Sequence, residues 1–247
     1  MTVRLAEDLW WVEECYDLGD AHRHVSVYVI REGDRYIMVD SGSFYHEEGI
    51  VEGVMEATGG DGVDAILLSH SDYPHSANVE KFRPEGREVE LIASSGAPAA
   101  QGLSDATKCE IGGEMTVCGR RFSFVDPPLA DRSHTTWIHD HGSGTLFAAD
   151  GFGSHHQPGQ CQMTSAEFED NIPEAAIREF HREELVWLRY VDPAKLRAAL
   201  EAIFEAFPPA YVAPIHGHPI AGDDLEEYLD RLIRAAGEIT DDYQVPA

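Results

Sequence analysis

One stretch limits this chain more than any other: Leu67-Leu68-Ser69-His70-Ser71-Asp72-Tyr73-Pro74-His75-Ser76-Ala77-Asn78. An apolar run feeds straight into a His, an Asp and a second His at positions i, i+2 and i+5. Imidazole and carboxylate are the side chains that bind first-row transition metals. In an extended strand, residues i and i+2 point to the same side. The spacing therefore lets His70 and Asp72 share one metal where a strand over 66–69 ends, and lets His75, just past the turn, reach a second position.

The rest of the composition narrows the class. At 247 residues with 43% apolar content, the chain fits a single α/β domain with a substantial core. It opens Met1-Thr2-Val3-Arg4-Leu5 with no basic-then-apolar leader, and no apolar run approaches the ~20 residues that span a bilayer. A soluble, cytoplasmic protein is the expectation. The net charge is −27, from 45 acidic and 18 basic residues, and only Lys81, Lys108 and Lys195 are lysines. Such a surface repels nucleic acid and anionic lipid. It suits either an ordinary acidic cytosolic protein or one living at high salt, since acid excess with so little lysine resembles the proteins of extreme halophiles. The four cysteines, Cys15, Cys109, Cys118 and Cys161, form no CxxC pair. They read as free, mostly buried thiols without a function.

The first half is rich in strand signals. Val25–Ile30 and Arg35–Val39 read as a hairpin turning at Glu32-Gly33-Asp34. A helix follows with Ile50, Val51, Val54, Met55 and Thr58 on one face. Then come a strand over Ala65–Leu68, the metal turn, a short helix from about His75 to Phe82 and a strand over Glu88–Ala93. Two further hairpins pair Met115–Val117 with Arg121–Val125, and Thr135–His139 with Thr145–Ala148. From residue 164 the pattern turns helical. Asp192 and Pro193 open a helix whose apolar face is Leu196, Leu200, Ile203, Phe204 and Phe207. A strand over Tyr211–Ile215 leads into His216-Gly217-His218, and Leu225, Tyr228, Leu229, Leu232 and Ile233 stripe a last helix.

Four turns after strand-like segments carry ligand-type side chains: His70, Asp72 and His75 in the first, His134 in the second, Asp150 in the third and His216 in the fourth. In that order they resemble the metallo-β-lactamase superfamily. Within it they are most similar to the diiron domain of flavodiiron proteins and related oxygen-binding diiron proteins, whose first motif reads HxExDH. Leu146-Phe147-Ala148-Ala149-Asp150-Gly151-Phe152-Gly153 and Pro214-Ile215-His216-Gly217 resemble the family's third and last ligand loops. The hydrolytic branch usually has a His where this chain has Asp72.

The resemblance implies a four-layer α/β/β/α sandwich forming one metal-binding domain over residues 1–247, with no flavodoxin-like domain. It implies metal 1 on His70, Asp72 and His134, metal 2 on His75 and His216, and Asp150 bridging the two. Oxygen ligands at Asp72 and Asp150 favour iron, with manganese or zinc as alternatives. The family's further Asp on metal 2 is Pro74 here, and proline cannot coordinate. That leaves metal 2 more open to an exogenous ligand, more weakly held, or absent. His218, His24 or His22 are possible substitutes, though His22 and His24 also suit a solvated turn. His46, His139, His141, His155, His156 and His181 read as solvated. Asp40, in the turn Val39-Asp40-Ser41-Gly42, reads equally as a carboxylate bracing a ligand His or as a plain strand-end turn.

The function implied is binding, sensing or reducing O2, or reducing NO. No flavin phosphate loop is visible, so turnover implies a separate electron donor, flavoprotein or rubredoxin-like. The related enzymes often pair head-to-tail, so a homodimer is possible. The alternatives are metal-dependent hydrolysis, which the fold supports widely, and a non-catalytic binding module, which rests on Pro74 alone.

Overall fold

The structure, a computed structural model, describes residues 1–94 and 103–243. In chain order the elements are β1 (Thr2–Ala6), β2 (Leu9–Asp17), β3 (His22–Glu32), β4 (Arg35–Val39), α1 (Glu47–Ala57), β5 (Ala65–Leu68), α2 (Tyr73–Ser76), β6 (Glu90–Ser94) and β7 (Thr107–Cys109). The second half holds β8 (Glu114–Val117), β9 (Arg120–Val125), β10 (Trp137–Asp140), β11 (Thr145–Phe147), β12 (His155–His156), α3 (Glu174–Glu184), α4 (Pro193–Ala206), β13 (Tyr211–Ala213), β14 (Ile220–Ala221) and α5 (Leu225–Asp242).

Among the described residues the strands form two sheets. The first runs β1-β2-β3-β4-β5-β6-β7, with β12 pairing β3; the second runs β14-β13-β11-β10-β9-β8. Strands β4 to β7 are parallel, and so are β11 and β13. Parallel neighbours end at the same edge. The loops after β4, β5, β11 and β13, which carry Asp40, His70, Asp150 and His216, are thus delivered to common sheet edges.

Three apolar layers show how the sheets are covered. Strand residues alternate faces. On β3, Val27 and Val29 pack with Ile50, Val54 and Ala57 of α1, while Tyr28 and Ile30 face Phe122, Phe124, Ile138 and Phe147 of the other sheet. The outer face of that second sheet, with Trp137, Leu146 and Val212, packs against Ile177, Leu200, Leu229 and Leu232 of α3 to α5. This is the expected four-layer α/β/β/α arrangement, and the layer between the sheets ends at the ligand loops.

Several local readings hold. Asp192 caps α4, its Oδ1 accepting from the Ala194 and Lys195 amides at 3.0 and 3.3 Å. The helix expected from His75 to Phe82 is instead a four-residue turn, α2, and a separate 3-10 turn at Val79–Phe82. Strands β1 and β2 carry no expectation in the sequence reading, because Glu13, Glu14 and Asp17 mask the apolar run before them. Pairing decides that segment: β2 lies along β3 from Leu9↔Ile30 to Asp17↔His22, and buried Trp11 donates from Nε1 to Ser26 Oγ at 2.7 Å. His22 and His24 accordingly lie within β3 and not before it. Among the described residues no helix is long and apolar enough to cross a membrane.

Candidate metal centre

The centre is built from strand ends. Buried apolar residues of β5 hold Ser69, His70 and Ser71 at the sheet edge. His75 is on α2, whose start is fixed by Pro74 near its N-terminus. Asp150 follows β11 in a tight loop: Ala149 and Phe152 take left-handed backbone (φ 48° and 63°), a conformation costly outside glycine and typical of functional sites. The glycine between Phe152 and Ser154 is required by space, since a Cβ on Gly153 would stand 2.0 Å from the Phe180 ring.

Three imidazoles close on one carboxylate. His70 Nε2 is 3.3 Å from Asp150 Oδ2, while His75 Nε2 and His216 Nε2 are 3.3 and 3.2 Å from Asp150 Oδ1. His70 and His75 are 1% exposed and Asp150 6%, so water is largely kept from the donors. The other ring nitrogens are committed. His75 Nδ1 donates to Asp40 Oδ2 at 2.8 Å, and His216 Nδ1 donates to the His24 carbonyl at 2.6 Å. His70 Nδ1 is 3.2 Å from Ser69 Oγ, whose own hydroxyl donates to Asp40 Oδ2 at 2.7 Å.

These commitments test whether a cation fits. In a neutral ring with Nδ1–H donated, Nε2 carries a lone pair. Three lone pairs then face the oxygens of a buried anion, an arrangement that repels unless positive charge lies between. Among the described residues His70 Nε2 indeed makes no hydrogen bond. The electrostatics show the same need for positive charge, which a proton on His75 also answers. Burial opposes charge on Asp150, yet the His75 and His70 rings hold its carboxyl well below the usual range. Burial lowers His75, but Asp150 and Asp40 outweigh it and raise the ring to about 10. Burial and the neighbouring His75 push His70 down to about 3. The set calls for positive charge, and a divalent cation on nitrogen and oxygen ligands meets that demand.

The remaining sequence candidates stand at the rim. Asp72 accepts from Arg132 Nε at 2.9 Å and lies 2.8 Å from its Nη2. It keeps a carboxylate oxygen within 4.8 Å of ligand atoms on His70 and Asp131. His134 bonds through Nε2 to Ser71 Oγ at 3.1 Å, its ring centroid 6.3 Å from that of His70. Asp131 is the residue that sequence reading passed over. Its Oδ2 is 3.6 Å from His70 Nε2, and Thr135 Oγ1 donates to its Oδ1 at 2.8 Å. Burial and then Asp150 raise its carboxyl. The available signal was an acidic residue three positions before His134 in the same turn.

The histidines offered as stand-ins for Pro74 go elsewhere. His24 reaches the centre through its backbone carbonyl only, while its ring stacks on His156 at 3.9 Å and stands 4.7 Å from the His218 ring. The reading of His139, His156 and His181 as solvated is overturned: they are 6%, 3% and 0% exposed. His181 donates to the Ile177 carbonyl at 2.8 Å, and β12 buries His156 against β3. A His ring that packs this way looks, in sequence, like any polar residue in a turn.

Residues 21–161 match the family model of the metallo-β-lactamase superfamily. This chain belongs to that superfamily. Solved structures of flavodiiron proteins are similar to it. A variant of the flavo di-iron protein of Thermotoga maritima shares 16% identity at a TM-score of 0.80, covering 96% of this chain and 61% of that one. Rubredoxin oxygen:oxidoreductase of Desulfovibrio gigas shares 15% at a TM-score of 0.75, covering 96% and 62%. The diiron chemotaxis sensor ODP shares 17% at a TM-score of 0.67, covering 94% and 93%. At these identities the likeness is one of fold. In sequence, a diflavin flavoprotein of Thermosynechococcus vestitus is 24% identical over 155 residues, 59% of this chain and 27% of that protein. This superfamily member thus spans under two thirds of the flavodiiron proteins it resembles, and nearly all of the sensor.

Proposed function

We propose that this protein is a dinuclear iron protein of the flavodiiron-like branch. It binds, senses or reduces O2, or reduces NO, with electrons from a separate donor. The observation that carries this reading is the division of Asp150: one oxygen faces His70 and the other faces His75 and His216. A carboxylate held between two groups of imidazoles suits a pair of cations about 3.5–4 Å apart, whose mutual repulsion it offsets. Similarity in fold to flavodiiron proteins and to a diiron sensor supports the same conclusion.

On this reading His70 and Asp150 hold metal 1 with Asp72 and His134, and Asp131 adds a carboxylate beside His70. His75, His216 and Asp150 hold metal 2, which lacks a ligand from position 74. Iron held there would supply the redox chemistry for a diatomic molecule. The chain's own groups do the rest. Asp40 and the His24 carbonyl fix the tautomers of His75 and His216, and burial of the donors excludes bulk water. That burial suits a small diatomic better than a bulky ester.

The test is anaerobic purification with iron, measurement of iron per chain, and then admission of air while the visible spectrum is followed. Two irons per chain and a new oxygen-dependent band are expected. Zinc as the retained metal, with hydrolysis of a nitrophenyl ester, would instead establish the hydrolase alternative.

A further inference from the structure

Outside the Asp150 centre, the β2–β3–β12 ladder gathers a second set of ligand-type side chains. Register puts Cys15 opposite His24, and His22 opposite His156, so these residues share one face. Cys161, five residues beyond His156 in the chain, closes the set. Cys15 Sγ is 3.4 Å from His156 Nε2, and His22 Nδ1 is 3.4 Å from Cys161 Sγ. Ligand atoms of all four lie within 4.8 Å of one another.

We propose that Cys15, His22, His156 and Cys161 form a structural cation site of the Cys2His2 type, suited to zinc. With Zn–S near 2.3 Å and Zn–N near 2.0–2.1 Å, tetrahedral ligation separates sulfur from nitrogen by roughly 3.5 Å, close to both separations found here. The His22 and His156 rings stand at 84° to each other, so their in-plane lone pairs can converge. Two thiolates and two imidazoles are a soft set that selects zinc over the harder iron expected at Asp150.

The neighbouring histidines complete the environment without competing for the ion. His24, His156 and His218 also bring nitrogens within 4.8 Å of one another. However, the His24 and His156 rings are stacked at 18°, and in-plane lone pairs of stacked rings run side by side and do not meet. His24 Nε2 donates to the Cys161 carbonyl at 2.8 Å, and His218 Nδ1 donates to the Met163 carbonyl at 2.7 Å. That leaves lone pairs on His24 Nδ1 and His218 Nε2, which, like His156 Nδ1, are buried and find no hydrogen-bond partner among the described residues. A cation on His156 Nε2 requires the proton on Nδ1. The site pins the segment from β12 to Met163 onto β3, the strand whose His24 carbonyl orients His216.

The test measures iron and zinc per chain in protein made with both metals, for wild type, Asp150→Ala and Cys161→Ser. One zinc per chain is expected to survive Asp150→Ala and to be lost in Cys161→Ser, with iron following the opposite pattern. Wild-type protein supplies a second readout should Cys161→Ser not fold: blocking thiols with a mercurial should release zinc in step with two thiols. Cobalt in place of zinc should show a thiolate-to-cobalt charge-transfer band. Loss of all metal in Asp150→Ala, a Cys15–Cys161 disulfide found by mass spectrometry, or cobalt protein without the band would overturn the site. Absence of iron at Asp150 alone would overturn the proposed function and leave this site standing.

Discussion

Asp40 Oδ2 accepts a hydrogen bond from His75 Nδ1 at 2.8 Å, and both side chains are buried. The same carboxylate takes the Ser69 amide at 2.8 Å and the Ser69 hydroxyl at 2.7 Å. One residue at the end of β4 therefore ties the start of the β5 loop to the imidazole on α2. Its left-handed backbone (φ 57°) is a conformation that Asp and Asn tolerate better than other side chains.

Asp40→Asn keeps that backbone but removes the charge and one acceptor. Partners that orient ligand histidines are typically worth about 10–100-fold in metal affinity. The variant is expected to fold and to lose metal at a chelator concentration that leaves wild type loaded. Competition titration with a chromophoric chelator measures it, and unchanged affinity would reduce Asp40 to a plain strand-end turn.

Asp72 is held tightly by Arg132 at 2.8 Å, whereas Asp131 Oδ2, not engaged by Thr135, lies 3.6 Å from His70 Nε2 and only at the longer distance of 3.8 Å from Arg132 Nε. Asp131→Asn is therefore expected to reduce retained iron more than Asp72→Asn. Iron per chain after matched dialysis decides the order. A loss confined to Asp72→Asn would mean that Asp72 leaves Arg132 for the metal, and Asp131 would then have no ligand role.

Arg120 and Asp140 form a buried pair linking β9 to β10: Nε to Oδ1 at 2.7 Å and Nη2 to Oδ2 at 2.6 Å. Arg120 also contacts Asp8 in the turn between β1 and β2, so the pair helps join the two sheets. Removing one partner of a buried pair costs about 3–5 kcal/mol, and Asp140→Asn should lose that much in urea unfolding at neutral pH. Burial raises the Asp140 carboxyl, but Arg120 and Ser143 outweigh it and leave it below its ordinary value. A depressed folded value means the contribution is present above the unfolded value of about 3.9 and is lost as pH falls through the lower folded value. The stability gap between wild type and variant should therefore narrow in acid; a gap that widens there would contradict the pairing.

A net charge of −27 implies strong self-repulsion. The Debye length falls from about 10 Å at 0.1 M salt to about 3 Å at 1 M. The melting temperature should rise across that range in potassium chloride, with metal loading held constant. A flat or falling curve would remove the high-salt reading of the composition.

Much of the fold was legible in the residues. Runs of β-branched, aromatic and aliphatic residues marked β3 to β5 and β9 to β11, and the Asp192-Pro193 cap marked α4. The order of His70, His75, Asp150 and His216 could be read because His70, Asp150 and His216 each come soon after an apolar strand and His75 follows in the same turn region as His70. Strands β1 and β2 were not, since their acidic residues hide the alternation until β3 pairs with them. Asp131 was passed over because an Asp in a polar turn carries no sign of which way it points. The Cys15, His22, His156 and Cys161 set was hidden for a related reason. Its two halves, Cys15 with His22 and His156 with Cys161, lie far apart in the chain, and the β2–β3–β12 ladder brings them onto one face.

Residue order alone determined most strands and helices and the ligand types at the strand ends, because residue pattern and side-chain chemistry are local properties, while the layer arrangement was implied by the family resemblance. The tertiary structure decided which oxygens of Asp150 face which imidazoles, that Arg132 claims Asp72, and that Asp40 holds His75. Those are matters of register and loop closure, set by contacts between segments that the linear chain keeps apart.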